Sequence, residues 1–328
     1  MTSGASRVLV TGGAGFIGSH VCERYLDLGA RVVALDNLST GSEANIAHLR
    51  GRDGFTFVPG SVRDAPLVDA LVAGVDRLIH LAAAVGVRLI IERPVTTIET
   101  NVGGTEVVLR AAARAGCRVF VASSSEVYGK GAQVPFHEDG DLLIGPTTNH
   151  RWLYACSKQL DEFLALAYAR EEGLPAVIGR LFNTVGPRQT GQYGMVVPRL
   201  VGQALAGQPL TVYGDGGQTR CFTHVSDVVL AIVSLLEEPA ARGRIVNIGS
   251  TDEVSILDLA RLVLLITGSR SEIRLVPYTE AYEAGFEDMR RRVPSIDRIR
   301  ALVGWTPRRT LREILSDVGE HLRQAQGG

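Results

Sequence analysis

Short apolar runs rich in β-branched residues alternate with longer amphipathic segments over the first half of the chain. The runs predict strands at Val8–Val10, Arg31–Leu35, Phe55–Val58, Arg77–Leu81, Arg118–Ala122 and Ala176–Arg180. The intervening segments predict helices at Ile17–Leu28, Val68–Val72, Thr97–Ala115 and Leu153–Glu172. Continuous apolar strands separated by helices are typical of a parallel sheet covered on both faces. We therefore expect an α/β fold with a doubly wound parallel sheet.

The pattern changes after Arg180, where prolines and glycines divide the chain into short elements. A helix near Ser226–Glu238 and a strand at Ile245–Ile248 are apolar enough to rejoin the sheet. We expect a larger unit made of residues 1–185 and about 221–248, and a second, smaller α/β lobe made of about 186–220 and 249–328. Open parallel sheets bind ligands at the carboxyl ends of their strands, so this lobe would close over that edge.

Charge and composition favour a small-molecule partner. The 328 residues include 34 Lys+Arg against 35 Asp+Glu, so the chain has no basic excess of the kind that captures nucleic acid or an anionic membrane surface. No apolar run of about 18 residues lacks a charge, so we expect no membrane span. The four cysteines form no C-x-x-C pair, so we expect no metal site and no disulfide framework, and we place the protein in the cytoplasm.

A glycine-rich segment follows the first predicted strand and opens the first predicted helix. In Thr11-Gly12-Gly13-Ala14-Gly15-Phe16-Ile17-Gly18, the spaced glycines allow a tight turn and a close approach to a pyrophosphate at the helix N-terminus. The second strand ends at Asp36, where a carboxylate can accept hydrogen bonds from the adenosine ribose. That carboxylate would repel a 2′-phosphate, and the following residues 37–41 contain no Arg, so we predict NAD rather than NADP.

A tyrosine and a lysine stand four residues apart in the predicted helix Leu153–Glu172. Tyr154 and Lys158 therefore share one helix face. A nearby ammonium lowers the pKa of a phenol by roughly 1–3 units, which makes a useful base near neutral pH. Ser123 and Ser124 follow the fifth strand at the same edge of the sheet. Either serine could instead cap the next segment.

Together these features resemble the extended short-chain dehydrogenase/reductases that modify nucleotide sugars. The shared motifs cover nearly the whole chain and include His80-Leu81-Ala82-Ala83, Asn101-Val102-Gly103-Gly104-Thr105, Arg180-Leu181-Phe182-Asn183, Gly186-Pro187-Arg188, Leu210-Thr211-Val212-Tyr213-Gly214 and Gly304-Trp305-Thr306-Pro307. The resemblance implies that Tyr154 removes the proton of a sugar 4-hydroxyl while the C4 hydride passes to the nicotinamide. Ser124 would share the hydrogen bond, and Lys158 would hold the ribose and the phenolate.

The resemblance also implies the ligand contacts and the oligomeric state. Cofactor contacts are expected at Gly12, Gly15, Phe16, Ile17, Gly18, Asp36, Asn37, Ser39, Thr40, Gly41, Leu81, Ala82, Ala83, Asn101, Ser123, Tyr154 and Lys158. Substrate contacts are expected at Val85, Gly86, Arg88, Ser124, Ser125, Glu126, Tyr154, Asn183, Thr184, Arg188, Val197, Arg199, Thr211, Tyr213, Arg220, Asp288, Arg290 and Arg292. A homodimer would pair the helices Thr97–Ala115 and Leu153–Glu172, although their apolar faces could equally belong to the monomer core.

Two subfamilies compete for the outcome of the reaction. Ser125-Glu126, Arg151-Trp152-Leu153-Tyr154 and Arg292 resemble the bacterial UDP-glucuronate decarboxylases. Residues 84–88 and 92–94 resemble the UDP-glucuronate 4-epimerases, and the overall pattern is closest to the epimerases of moenomycin-type pathways. Those epimerases commonly have a second Arg in G-P-R-x-R, where this chain has Thr190, so Arg88, Ser125, Thr184 and Arg188 remain candidates for binding the sugar carboxylate. We expect conversion of UDP-glucuronate to UDP-galacturonate through a 4-keto sugar.

Other outcomes are disfavoured or remain open. The related 4,6-dehydratases have an Asp-Glu pair where this chain has Ser125-Glu126, so the acid that expels the 6-hydroxyl is missing. A neutral UDP-hexose remains an alternative substrate. A non-catalytic NAD-sensing regulator typically lacks the tyrosine and the lysine, and both are present here.

Overall fold

Thirteen strands occur in the computed structural model, which describes residues 5–86, 92–131, 133–191, 195–277 and 289–327. In chain order they are β1 (Arg7–Thr11), β2 (Arg31–Asp36), β3 (Phe55–Pro59), β4 (Arg77–His80), β5 (Arg118–Ser124), β6 (Ala176–Leu181), β7 (Thr184–Val185), β8 (Leu210–Tyr213), β9 (Thr219–Cys221), β10 (Thr223–His224), β11 (Arg244–Ile248), β12 (Glu253–Ser255) and β13 (Ile273–Val276).

The α-helices of the described residues are α1 (Phe16–Asp27), α2 (Ala65–Val72), α3 (Pro94–Ile98), α4 (Gly104–Ala115), α5 (Leu153–Glu171), α6 (Val196–Leu205), α7 (Val225–Glu237), α8 (Ile256–Thr267), α9 (Asp297–Val303) and α10 (Leu311–Gly327). A π-helical turn, Glu99–Gly103, joins α3 to α4. Short 3-10 turns include Glu43–Leu49, Ser125–Tyr128, His150–Trp152 and Pro239–Ala241.

Seven parallel strands form the main sheet in the order β11-β6-β5-β4-β1-β2-β3. Successive strand residues point to opposite faces, and both faces are buried: Val8 and Val10 belong to one apolar cluster and Leu9 to another. The first cluster includes residues of α1 and α7, and the second includes residues of α2, α4 and α5. Helices on both faces and the strand order confirm the predicted doubly wound α/β fold.

A third apolar cluster lies beyond the main sheet. It combines residues of α6, α8 and α10 with strand residues such as Leu210 and Val212. Three two-stranded ladders accompany it, β7 with β10, β9 with β12 and β8 with β13. The division into a larger unit and a smaller lobe stays a prediction, and this separate cluster supports it.

Helix α9 modifies the proposed boundary of the lobe. Ile296, Ile299 and Trp305 pack in the first cluster of the main sheet, and Trp305 Nε1 donates a hydrogen bond of 2.9 Å to the Asp227 carbonyl oxygen in α7. We therefore propose that residues 296–305 belong to the larger unit, although the sequence pattern assigns them to the lobe. None of the described helices is both long and apolar enough to span a membrane.

Candidate active site

The carboxyl ends of the main-sheet strands open onto a cavity of about 500 Å³. Most of the residues predicted to bind cofactor or substrate line it. These are Gly12, Gly15, Phe16, Ile17, Gly18, Asp36, Asn37, Ser39, Thr40, Leu81, Ala82, Ala83, Val85, Gly86, Ser123, Ser124, Ser125, Glu126, Tyr154, Lys158, Asn183, Thr184, Arg188, Val197, Arg199, Tyr213, Arg220 and Arg292.

Four predicted residues of the described ranges do not line the cavity, namely Gly41, Asn101, Thr211 and Arg290. Arg88 and Asp288 lie outside the described residues. A Cβ on Gly41 would lie 2.9 Å from Asp36 Oδ2, and the exposed Arg290 accepts a hydrogen bond from the Thr219 N–H through its carbonyl oxygen.

The side chains of Asn101 and Thr211 form hydrogen bonds with neighbouring protein groups. The Asn101 amide accepts from Ala84 N at 2.7 Å and donates to Ser157 Oγ at 3.1 Å, so it connects the loop after β4 to α5. Thr211 Oγ1 accepts from Gln203 Nε2 at 3.0 Å and also contacts the Arg199 guanidinium. Direct ligand contacts of these two side chains stay predictions.

The glycine-rich loop leaves room for a ligand at the N-terminus of α1. Gly12 has a φ of +72°, and a Cβ there would lie 2.8 Å from Ala82 N. A Cβ on Gly18 would lie 2.0 Å from the Gly12 carbonyl oxygen. Side chains are therefore excluded at these two positions, and Gly15, Phe16 and Ile17 at the start of α1 line the cavity. A helix N-terminus there suits a pyrophosphate.

Asp36 ends β2 as a buried carboxylate at the far side of this loop. Its Oδ2 accepts from Ala14 N at 3.0 Å and its Oδ1 accepts from Leu38 N at 2.8 Å. Burial raises the pKa of Asp36, and these backbone donors oppose the rise. An acceptor that is fixed by two backbone bonds and lines the cavity fits the ribose hydroxyls of NAD.

Tyr154 and Lys158 lie on the first turns of α5, beside the end of β5. Burial raises the pKa of Tyr154, while the Lys158 charge and a hydrogen bond with Ser124 lower it. Ser124 Oγ also accepts from Glu126 N at 3.2 Å, so it both caps the 3-10 turn and reaches the phenol. The structure thus brings together the base, the cation and the hydroxyl that the sequence motifs suggested.

Glu126 lies between two guanidinium groups in the same cavity. Its carboxylate is 2.6 Å from Arg151 and 2.8 Å from Arg292, and the three side chains are 16%, 9% and 8% exposed. Burial alone would raise the pKa of Glu126, but the charges of Arg292 and Arg151 outweigh burial and lower it to about 2. The carboxylate is therefore ionised at every physiological pH, and two positive charges surround it.

More arginines line the side of the cavity formed by the segment after β6. Arg199 Nη1 donates to the Thr211 carbonyl oxygen at 2.7 Å, and its guanidinium lies 4.6 Å from the Tyr213 ring centroid. Arg220 Nη1 donates to the Met289 carbonyl oxygen at 2.8 Å. Such positioned cations suit the phosphates of a nucleotide.

The side chain of Arg188 contacts two residues of α1. Its Nη1 donates to Ser19 Oγ at 3.2 Å, and its guanidinium forms an ion pair with Glu23. These contacts place it near the cofactor loop, on a different element from the Glu126 cluster.

Arg151 is the main site residue missing from the predicted contacts. It lies in the 3-10 turn His150–Trp152 that leads into α5, and Asn149 Oδ1 caps that turn by accepting from Arg151 N at 3.1 Å. Its signal in the sequence is the segment Arg151-Trp152-Leu153-Tyr154, which resembles the decarboxylases but does not say what Arg151 contacts. That signal became meaningful only when the fold placed Glu126 opposite.

Comparisons with known proteins agree with this geometry. Residues 8–249 match the NAD dependent epimerase/dehydratase family. A UDP-N-acetyl-alpha-D-glucosaminuronate decarboxylase of Bacillus cytotoxicus is 41% identical over 321 residues, which are 98% of each chain. UDP-glucuronic acid decarboxylase 1 of Danio rerio is 37% identical over 301 residues, which are 92% of this chain and 69% of that protein.

A solved structure extends the comparison to a second reaction. A mutant UDP-glucuronic acid 4-epimerase from Bacillus cereus, in complex with UDP-4-deoxy-4-fluoro-glucuronic acid and NAD, has a TM-score of 0.86 at 27% identity. The similarity covers 97% of this chain and 99% of that one. The chain belongs to the NAD-dependent epimerase/dehydratase family, the extended short-chain dehydrogenase/reductases that its sequence motifs resemble.

Proposed function

We propose that the protein epimerises UDP-glucuronate at C4 to UDP-galacturonate through a 4-keto sugar. The observation that carries this proposal is the arrangement at the end of β5, where Tyr154, Lys158 and Ser124 share the cavity with a carboxylate clamped by two arginines. The first group supplies proton transfer at a sugar hydroxyl. The second supplies positive charge for an anionic sugar.

The proposed proton chemistry depends on three side chains. Tyr154 removes the proton of the 4-hydroxyl, Ser124 hydrogen-bonds to the same oxygen, and Lys158 favours the phenolate over the phenol. NAD bound beside these three side chains would accept the C4 hydride and return it to the other face of the 4-keto sugar. Tyr154 then gives the proton back to the 4-oxygen, so the reaction involves no net oxidation.

The Glu126 cluster supports a uronate over a neutral hexose. Arg151 and Arg292 lie at one carboxylate, in a largely buried part of the cavity lining. Guanidinium groups form their strongest hydrogen bonds with carboxylates, so they suit a carboxylate on the sugar better than a neutral 6-hydroxyl. Arg151 and Arg292 therefore join Ser125 and Thr184 as candidates for recognising the sugar carboxylate.

The charge state of Glu126 argues against dehydration of a 4-keto sugar. Dehydration needs an acid that expels a hydroxyl, and a carboxyl group whose pKa is lowered to about 2 does not supply that proton near neutral pH. The charge state does not separate epimerisation from decarboxylation, because Glu126, Arg151 and Arg292 belong to the segments that resemble the decarboxylases.

Decarboxylation is the second candidate, and the named relatives favour it. Proteins 41% and 37% identical to this chain are decarboxylases of UDP-uronates. A 4-keto uronate is a β-keto acid, which loses CO2 when its C5–carboxylate bond stands perpendicular to the ketone plane. An epimerase must hold that bond near the plane, so the two outcomes differ in one dihedral angle of the bound sugar.

Parallel incubations distinguish the candidates. The purified protein with NAD is mixed separately with UDP-glucuronate, UDP-glucose and UDP-N-acetylglucosaminuronate, and each mixture is assayed for CO2 and for sugar products by NMR. We expect UDP-galacturonate from UDP-glucuronate without CO2. Stoichiometric CO2 with a UDP-pentose would establish the decarboxylase instead, and turnover of UDP-glucose alone would exclude a uronate substrate.

A further inference from the structure

Lys158 belongs to a fully buried ion pair within α5. Its Nζ lies 2.9 Å from Asp161 Oδ2, and the two side chains are 3% and 0% exposed. Because the residues are three positions apart on one helix, the carboxylate faces the same side as the ammonium. The proposed proton transfer uses Lys158 but gives Asp161 no part.

A buried histidine lies near this ion pair and links the end of β1 to α4. His80 Nδ1 lies 2.7 Å from Thr11 Oγ1, and His80 Nε2 lies 3.0 Å from Thr105 Oγ1. These three side chains are buried, as are Lys158 and Asp161. Burial and the charge of Lys158 lower the pKa of His80 to about 3.

We propose that Asp161 is a positioning residue that fixes the Lys158 ammonium beside the Tyr154 phenol through their buried ion pair. The inference rests on the proposed roles of Tyr154 and Lys158.

Glu162, the next residue along α5, does not serve as the counter-ion of Lys158. Glu162 is engaged by Arg180 through bonds of 2.9 and 2.8 Å, and it accepts from Ser123 Oγ at 2.5 Å. Asp161 is therefore the counter-charge that directly contacts Lys158 among the described residues.

The surrounding charges determine what removal of Asp161 does. Lys158 lowers the pKa of Tyr154, while Glu126 and Asp161 raise it. Burial opposes the charge on Lys158, and Asp161, Tyr154 and Glu162 together raise its pKa above the ordinary value. His80, the other titratable group facing this pair, is neutral over the whole working range.

Both limbs of a pH profile should therefore move the same way in Asp161→Asn. The acid limb reports Tyr154, which loses a repelling negative charge, so its pKa falls and activity begins at lower pH. The alkaline limb reports Lys158, which loses its counter-ion in a buried place, so its pKa falls and activity is lost at lower pH. We expect each limb of kcat/KM to move down by about one pH unit.

The experiment measures kcat and kcat/KM with UDP-glucuronate and NAD between pH 5.5 and 10. Asp258→Asn is the matched control, since it makes the same chemical change at a carboxylate that is 59% exposed and pairs with Arg261. We expect this control to keep the parent profile. A profile of Asp161→Asn that superimposes on the parent would overturn the inference, because a purely structural role lowers activity without moving its pH dependence.

Asp161→Glu provides a second variant should Asp161→Asn not fold. It keeps the negative charge but moves the carboxylate relative to the Lys158 ammonium, which it contacts at 2.9 Å in the parent. We expect both limbs of the pH profile to stay near those of the parent, while kcat falls severalfold with little change in KM for UDP-glucuronate. Parent-like kcat in Asp161→Glu would count against the positioning role.

The parent protein and Tyr154→Phe distinguish failure of the Asp161 inference from failure of the proposed function. An active parent, an inactive Tyr154→Phe and an unshifted Asp161→Asn profile reject this inference alone. A parent that converts no UDP-uronate rejects the proposed function and, with it, the base role on which the inference rests.

Discussion

At the residue scale, opposing contributions set the behaviour of Tyr154. Burial raises the pKa of its phenol, and the Lys158 charge and the Ser124 hydrogen bond lower it. The sequence motif suggests only the second effect, because burial depends on elements far apart in the chain. The phenol is therefore less readily ionised than the spacing of the two residues alone implies.

Tyr154→Phe removes the proton acceptor and keeps the ring. We expect turnover of UDP-glucuronate to fall about 10³-fold, within the usual range for loss of a general base, while NAD binding measured by titration stays close to that of the parent. Tyr168→Phe, which lies on the same helix, is the control and should keep parent activity. Full turnover by Tyr154→Phe would refute the assigned role.

Glu126 should make the free energy of unfolding depend on pH in the acid range. Its pKa is lowered from the ordinary 4.5 to about 2, so the stability it contributes is complete above about pH 4.5 and disappears as the pH falls toward 2. That shift corresponds to about 3 kcal/mol. We expect Glu126→Gln to lower the free energy of unfolding by about this amount at pH 7, and the difference from the parent to shrink below pH 4.5.

The exposed Glu253 is the matched control. Arg291 and Thr219 also lower its pKa to about 2, but solvent screens an exposed pair and reduces its value. Urea unfolding at several pH values should therefore separate Glu253→Gln, which changes little, from Glu126→Gln. Equal effects of the two substitutions would mean that the buried cluster does not stabilise the fold as its geometry indicates.

Sequence reasoning found the cavity-lining residues that lie in compact motifs and missed groups that depend on the fold. Gly12, Gly18 and Asp36 lie within one β-α-β unit, so their spacing alone places them at one end of the sheet. Arg151 gains its meaning from Glu126, which lies on another element, and Asp161 from the burial of its pair with Lys158. No single-sequence pattern encodes such contacts or such burial.

At the element scale, the predicted strands and helices agree with the structure to within a few residues. Helix α2 begins three residues before its predicted start because the Asp64 carboxylate caps it, accepting from Leu67 N at 3.1 Å. The predicted helix Thr97–Ala115 is interrupted by the π-helical turn Glu99–Gly103. Apolar periodicity does not report such a turn, which places the buried Asn101 against α5.

The outer faces of α3 and α5 carry exposed apolar side chains. Val95 and Ile98 on α3 are 66% and 45% exposed, and Leu160 and Phe163 on α5 are 45% and 69% exposed. Other faces of the same region are used by the core, where Leu109 and Ala165 are buried. The buried residues thus belong to the monomer core, and the exposed residues remain available for a dimer contact. We propose that the exposed set forms a homodimer interface.

Phe163→Glu tests this interface. The charge would be buried without a partner in a dimer, so we expect sedimentation at micromolar concentration to show a dimer for the parent and a monomer for the variant. Leu265→Glu changes a residue that is similarly exposed, at 65%, on α8 and should leave the dimer intact. A monomeric parent, or a dimer that persists in Phe163→Glu, would exclude this face.

At the scale of the whole molecule, a nearly neutral chain places several positive charges around one cavity. The net charge is −1, yet Arg151, Arg188, Arg199, Arg220 and Arg292 all line the cavity at the end of the sheet. Composition argued against nucleic acid as the partner, and the motifs suggested a nucleotide sugar. Only the fold brings two of these arginines to Glu126, in the cavity that Tyr154 also lines.

The most direct test of the central claim uses UDP-glucuronate labelled with deuterium at C4 and with ¹³C at C6, incubated with the protein and NAD and followed by NMR. The account predicts UDP-galacturonate that keeps both labels, because the hydride returns to C4 from the opposite side and the carboxylate is never lost. Release of ¹³C as CO2 with a UDP-pentose, or exchange of the C4 deuterium with solvent, would contradict it.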